Sequence, residues 1–467
     1  MPFNSIQFAL FFAVVWLLHR SLPAGARNGF LLTASLVFYG LWVPAYLLLL
    51  LGDILVNYAL LRVMVRSTRP RIALVTSVVV TLGLLAGFKY AALAIEAFAP
   101  VLRAGFGFDP PIPEIFLPLG ISFFSFQILG LAIDTYRREI DAPESLSRYA
   151  LFVSFFPQLI AGPILRGRQL LPQLARGAAR SAARSQRGLW LIASGLAKKV
   201  ILADFLLGDF VDGVFQAPGV GSAAFHWVAA WSFAFQIYFD FSGYTDIARG
   251  LALLLGFELP ANFLEPYLSR DPSEFWRRWH ITLSRWLRDY LYIPLGGNRT
   301  GQSRTLVNLM LTMLLGGLWH GAAWNFVIWG GVHGVLLVLH RQFGGPRQPE
   351  RETDWRDAPH VFLTFNLICI AWVFFRAPSF EEAIHFIAGM LGSGPGTGWP
   401  VLPTLVVLCC AGIHVLERWL RLHGASLRAA LNRRWWGPLL QAAGLGGLTG
   451  LAIAAAGAGD QFIYFQF

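Results

Sequence analysis

The sequence predicts an all-α, polytopic integral membrane protein. It should carry roughly ten to twelve transmembrane helices, with re-entrant and interfacial helices among them, in a single membrane domain spanning 1–467. Three observations predict this. First, 56% of the 467 residues are hydrophobic and 15% aromatic, but only 13% are charged. Soluble domains are nearer a quarter charged, so this chain cannot cover a water-facing surface of its size. Second, the mean hydropathy is +0.55, and apolar runs recur from end to end rather than as one anchor. Third, the net charge of +11 (37 Lys and Arg against 26 Asp and Glu) is concentrated as arginines in short segments between apolar runs. That is the positive-inside pattern of cytoplasmic loops, not a nucleic-acid surface. Disorder, a soluble multidomain enzyme and a single-anchor protein are all excluded.

A spanning helix needs about 20 apolar residues. The runs at 4–19, 28–42, 45–65 and 72–96 come first, separated on one side by Arg20 and Arg27, then by Arg62, Arg66, Arg69 and Arg71. A further run, 115–135, ends at Arg137 and Arg138. The stretch 148–162 is apolar but interrupted and reads as re-entrant, a form allowed only where protein satisfies the backbone. Residues 163–188 carry Arg166, Arg168, Arg176, Arg180, Arg184 and Arg187 and no acid. The runs 189–206 and 223–240 flank 207–222, which holds Asp209 and Asp212 and no basic residue. A second interrupted piece, 241–257, precedes the runs 305–320, 322–341, 359–376, 400–417 and 436–457. With the N-terminus outside, every arginine-rich segment, including Arg418 to Arg434, falls in the cytoplasm and the C-terminus falls outside. The N-terminus lacks the basic start and cleavage site of a signal peptide, so the first run is expected to be retained. Cys369, Cys409 and Cys410 lie in apolar stretches and form neither a disulfide framework nor a metal-binding CxxC.

Chemistry concentrates in 271–299, DPSEFWRRWHITLSRWLRDYLYIPLGGNR. Asp271, Pro272 and Glu274 suit the N-cap, first and third positions of a helix. Apolar residues follow at three- and four-residue steps, with Arg277, Arg278, Arg285 and Arg288 largely elsewhere on the wheel, facing headgroups or cytosol. So charged a segment cannot span, and it is expected to lie in the cytoplasmic interface. His280 falls on its apolar side. Taken alone, it reads equally well as an interfacial histidine bonded to a backbone carbonyl. His320 lies deep in LLGGLWHGAAWNFVIWGGVHG, 314–334, among Gly316, Gly317, Gly321, Ala322 and Ala323. An ionisable side chain within a membrane segment marks a functional site unless it only bonds across helices. His333 sits 13 residues on, about 220° round a continuous helix, and reads as structural. In QIYFDFSGYTDIARG, 236–250, Asp240, Asp246, Ser242 and Tyr244 either line a polar cavity or stabilise an irregular turn, the latter being preferred. The turn Gly296-Gly297-Asn298-Arg299 either meets phosphates through amides and Arg299 or simply stops a helix.

These segments make the chain recognisable. LPLGISFFSFQ (117–127), FVSFFPQLIAGPILR (152–166), GLAKKVILAD (195–204), the block from 236 to 334 and the ending FIYFQF (462–467) resemble the membrane-bound O-acyltransferase family. The similarity is greatest to its bacterial branch typified by alginate O-acetyltransferase membrane subunits. The D-alanyl-transferring branch is more distant, lacking the LYIPLGGNR form of the helix ending. The resemblance implies a dozen or so helices in an irregular ring, broken helices on the cytoplasmic side, and a central tunnel. It places the catalytic histidine at His320 and the second polar residue at His280. Arg277, Arg278, Asn298 and Arg299 then become candidates for holding CoA phosphates, and Asp240, Tyr244 and Trp319 for lining the tunnel. No metal and no bound cofactor are expected; acetyl-CoA is the expected donor substrate.

An acyl thioester is already activated, so the protein need supply position, a base and protection from water. His320 suits the base, taking the proton of an acceptor hydroxyl. No G-x-S-x-G nucleophile elbow occurs. The resemblance therefore implies transfer across the bacterial inner membrane to an extracytoplasmic SGNH-type partner that acetylates an exopolysaccharide such as alginate. Direct acylation of another cell-wall polymer or a lipid is the alternative. A transporter would also bury polar residues, but no paired halves with matching broken helices are apparent. A polytopic glycosyltransferase would want acids in its first external turn, and the turn near Pro44 has none.

Overall fold

The computed structural model describes residues 1–111, 116–344, 353–394, 396–434 and 436–455. Residue 115 of the fifth expected span and the 456–467 ending, with FIYFQF, lie outside them. The regular elements of the described residues are all helical and fall into two compact units, Met1–Leu189 with Ala248–Pro260 and Trp190–Ile247 with Ala261–Phe467.

The first unit contains α1 (Ile6–Ser21), α2 (Ala24–Gly40), α3 (Pro44–Arg66), α4 (Pro70–Phe106), α5 (Ile121–Tyr136), α6 (Leu146–Ser154), α7 (Phe156–Leu159) and α8 (Gly167–Arg176). Pro44 and Pro70 open α3 and α4 at positions where the missing N–H costs nothing. The pair is joined by a buried polar seam. Asn57 Nδ2 donates to Asp53 Oδ1 at 2.7 Å and to Thr81 Oγ1 at 3.1 Å, and Ser77 donates to Asn57 Oδ1. Between helices surrounded by lipid tails, such bonds and close packing replace the hydrophobic effect as the source of association. The interrupted stretch 148–162 is indeed broken, at Phe155, into the wholly buried α6 end and α7.

The second unit opens within α9 (Ala182–Leu196), continues through a π-helical stretch, Ala197–Gly208, and α10 (Asp209–Gln216), and enters α11 (Ala223–Leu255). The predicted break at 241–257 is absent: α11 runs unbroken for 33 residues. Its acids are neutralised instead of needing an irregular turn. Lys199 Nζ lies 2.7 Å from Asp240 and 2.8 Å from Asp204, and Lys198 pairs with Asp246 at 2.9 Å and with Glu417. Lys199 and Asp240 are completely buried, so each charge depends on the other for its solvation.

Next come α12 (Pro272–Arg278), α13 (Ile281–Leu287), a π-helical turn Arg288–Tyr292, α14 (Gln302–His320) and α15 (Trp324–Phe343). The chain closes with α16 (Ala358–Arg376), α17 (Phe380–Met390), α18 (Val401–Asn432) and α19 (Gly437–Ala455). Helices α14 and α15 form a hairpin whose backbones nearly touch. A methyl group at Gly317 would collide with the Phe326 carbonyl, and one at Gly330 with that of Met313. Only glycine at both positions permits this approach. Packed against α15 is an aromatic core that includes Phe275, Trp279, Trp329, Trp372 and Phe375.

Six helices of the described residues are long and apolar enough to cross a membrane: α3, α4, α15, the segment Trp355–Arg376, α18 and α19. The shorter apolar α1 and α5 join them. The chain is a multi-pass membrane protein. Helix α4, at 37 residues, and α18, at 32, outrun the spans expected at 72–96 and 400–417.

Candidate active site

The segment 271–299 is not the single amphipathic helix that its periodicity predicts. It starts as expected, with the Asp271 carboxylate accepting from Glu274 N at 2.7 Å and Pro272 in the first turn. It then breaks at His280. The run Trp279-His280-Ile281-Thr282, bulky and β-branched, has little helix preference of its own. A neighbouring strand of chain satisfies the backbone groups released by the break: Ile281 N donates to Asn262 O at 2.9 Å and Leu264 N to Arg278 O at 3.0 Å. His280 itself adopts φ 40, ψ 55, a left-handed conformation costly for a side chain with a Cβ.

The imidazole of His280 is fully buried. Its Nδ1 lies 3.2 Å from Asn262 Oδ1, which also accepts from Thr282 N at 3.2 Å and Thr282 Oγ1 at 2.9 Å. An amide oxygen only accepts, so Nδ1 carries the hydrogen and Nε2 the lone pair. Burial pushes the imidazole down from its ordinary value to about 3, which keeps it neutral. The ring packs against Phe241 and lies 6.3 Å from Trp319 between centroids.

His320 is the last residue of α14 and is 7% exposed. Trp319, Trp329 and Phe375 meet it edge-on at 4.8, 4.9 and 5.4 Å. Trp319 is thus a common neighbour of His280 and His320. Gly321, Ala322 and Ala323 break the helix after His320, and α15 returns beside α14. The placing of His333 on the far side of one continuous helix therefore fails. His333 packs edge-on against Trp329, 4.7 Å away, the same ring that borders His320.

Below this aromatic cluster lies a cavity of about 710 Å³, within the usual range for small-molecule sites. Arg277, Arg285, Arg288, His340 and Arg341 line it, with no acid among the described lining residues, and Arg288 is paired outside the lining with Asp289 at 2.6 Å. Trp276, Thr312, Met313 and Asn298 complete much of the wall. The cavity reaches His320 through rings: Trp276 forms part of its wall and meets Trp329 at 5.8 Å.

Of the expected phosphate-holding residues, Arg277 and Asn298 line the cavity; Arg278 and Arg299 do not. Arg278 was expected to face headgroups or cytosol, but it pairs with Glu274 at 2.6 Å. Burial alone would raise the Glu274 carboxyl, yet the bonds and charges of Arg270 and Arg278 hold it below its ordinary value. Asp240, Tyr244 and Trp319 do not line this cavity either, and Asp240 is committed to Lys199. Sequence reasoning passed over Asn262, which carries no pattern to announce it. It also missed His340 and Arg341, whose spacing from Leu337 puts all three on one helix face.

Residues 132–377 match the membrane-bound O-acyltransferase family. A probable alginate O-acetylase of Pseudomonas aeruginosa is 41% identical over 404 residues, covering 84% of this chain and 75% of the relative. A peptidoglycan O-acetyltransferase of Helicobacter pylori is 38% identical over 429 residues, 84% of this chain and 80% of the relative. A teichoic acid D-alanyltransferase of Streptococcus thermophilus is 28% identical over 55% of this chain and 68% of its own length. This chain belongs to the membrane-bound O-acyltransferase family and is an O-acyltransferase of the membrane.

Proposed function

We propose that this O-acyltransferase takes acetyl from cytosolic acetyl-CoA and passes it across the bacterial inner membrane to an extracytoplasmic SGNH-type partner, which acetylates an exopolysaccharide such as alginate. The observation that carries the reading is the basic cavity joined by Trp276 and Trp329 to His320. Four arginines, with no acid among the described lining residues, suit the phosphates of a nucleotide-bearing thioester. The probable alginate O-acetylases and the peptidoglycan O-acetyltransferase support acetyl transfer to a polymer-modifying system. The second of these keeps a cell-wall glycan open as the final acceptor.

In this reading His320 is the general base. Its imidazole takes the proton as the acceptor oxygen attacks the thioester carbonyl carbon. The C–S bond breaks, and the CoA thiolate leaves with the pair of electrons and recovers a proton. His280, neutral and held by Asn262, orients the thioester or the developing charge beside Trp319. The aromatic rings exclude water that would otherwise hydrolyse the donor. Arg277, Arg285, Arg288 and Arg341 hold the phosphates. Both chain termini are then extracytoplasmic, as the arginine distribution predicts.

Sealed vesicles of defined orientation test the relay. Transfer should require acetyl-CoA on the side of the arginine-rich loops and the acceptor on the other. Transfer with donor and acceptor confined to one compartment would overturn it.

A further inference from the structure

His333 has no role in the reaction described so far, yet it is fully buried and neither ring nitrogen has a hydrogen-bond partner among the described residues. Four aromatic rings box it in: Phe275, nearly parallel at 5.9 Å, Trp276 at 5.0 Å, Trp329 at 4.7 Å and Trp372 at 6.4 Å. The indole nitrogens of Trp276, Trp329 and Trp372 are buried without a partner as well. Burying a polar ring unpaired costs free energy that a phenyl ring would not. A merely space-filling residue here would be better as phenylalanine.

Position supplies the rest. Leu337, His333 and Trp329 succeed one another at four-residue steps on one face of α15, about 6 Å apart along the axis. Leu337 lines the basic cavity, and Trp329 borders His320. Trp276 is shared between the cavity wall and the His333 box. His333 therefore stands halfway between the place suited to phosphates and the proposed base. The arm that carries a CoA thioester bears two amides, whose carbonyls accept one bond each and whose N–H groups donate one. A neutral imidazole offers one donor and one acceptor.

We propose that His333 binds the acyl donor by donating from one ring nitrogen to an amide carbonyl of its arm, which fixes how far the thioester reaches toward His320. This rests on the reading that the donor is acetyl-CoA entering by the basic cavity, and it adds a residue that the phosphate contacts alone do not require.

The test is binding to the purified full chain, so it does not depend on turnover. CoA is compared with adenosine 3′,5′-bisphosphate, which keeps the adenosine and two of the three phosphates but lacks the arm. The proteins are the wild type, His333→Phe and His333→Gln. His333→Phe preserves the ring packing and should weaken CoA about tenfold, the effect of one lost buried hydrogen bond, while binding the bisphosphate as the wild type does. His333→Gln, which keeps an N–H donor, should recover most of the CoA affinity. Equal CoA affinity in His333→Phe and wild type would overturn the assignment, as would equal weakening of both ligands, the mark of a packing defect. If the wild type bound neither ligand, the acetyl-CoA reading itself would fall and this assignment with it. Wild-type binding with no loss in His333→Phe would remove His333 alone.

Discussion

Replacing His280 with glycine and with alanine tests the broken helix directly, because the two alternatives differ in the gap they leave between the variants. Both changes remove the imidazole and its bond to Asn262, so their difference isolates the backbone. At φ 40, ψ 55 alanine bears a left-handed penalty of about 1–2 kcal/mol that glycine avoids. Glycine forfeits about 0.5–1 kcal/mol through its greater unfolded-state freedom and about 0.8 kcal/mol through the lost buried methyl, which leaves the two variants about level. In an unbroken helix no left-handed penalty offsets these losses, and glycine is worse by about 2 kcal/mol. Thermal unfolding of the purified protein in nanodiscs reads the difference, at about 1 °C per kcal/mol for a chain of this size. The two variants should unfold within about 1 °C of one another. Acetyl transfer should be slowed alike in both, with kcat falling more than donor affinity, since neither carries an imidazole. An unfolding temperature for His280→Gly about 2 °C or more below that of His280→Ala would refute the break at this residue. Unchanged kcat in both would leave His280 a purely structural group.

Three further outcomes follow from the same geometry. His320→Ala and His320→Gln should each lower transfer by about 10²–10⁴-fold while insertion and expression persist; wild-type turnover in either removes His320 as the base. Lys199→Met should destabilise the protein by about 3–5 kcal/mol by stranding Asp240, and adding Asp240→Leu should restore much of it; thermal unfolding of the double variant no better than the single would refute the pairing. Arg285→Glu or Arg288→Glu should raise the KM for acetyl-CoA, more at low salt than at high, and an unchanged KM would separate the cavity from donor binding.

Fold class and membrane character were legible because they depend on composition and on long apolar runs, which tolerate local error. The burial of the two histidines was legible through an unusual setting. What eluded the sequence was decided by partners distant along the chain. Helix α11 stays helical through Asp240 and Asp246 because lysines from the π-helical stretch 197–208 meet them, and nothing local to 236–250 reveals those lysines. The break at His280 depends on Asn262, 18 residues earlier. A wheel drawn over 271–299 placed His280 inward, which is where it lies, but for the wrong reason. The position of His333 was misplaced by one assumption, that 314–334 is continuous; the glycine and alanines after His320 were noted for their size rather than as a helix end.

The aromatic fence around His320 bears on which acyl groups the enzyme can carry. Trp319, Trp329 and Phe375 all stand edge-on within 5.4 Å of the imidazole. Each is packed against further rings, Trp329 and Phe375 each also meeting Trp372. Rings wedged in this way do not yield to a bulkier guest without disturbing the next, and overpacking costs about 1–3 kcal/mol, about 5- to 150-fold in rate. An acetyl group asks little of such a wall, whereas every added methylene must displace an indole or a phenyl. Discrimination against longer acyl chains then belongs to the carbon wall rather than to either histidine, and trimming Phe375 to alanine is the change that would widen the substrate range while leaving the base in place.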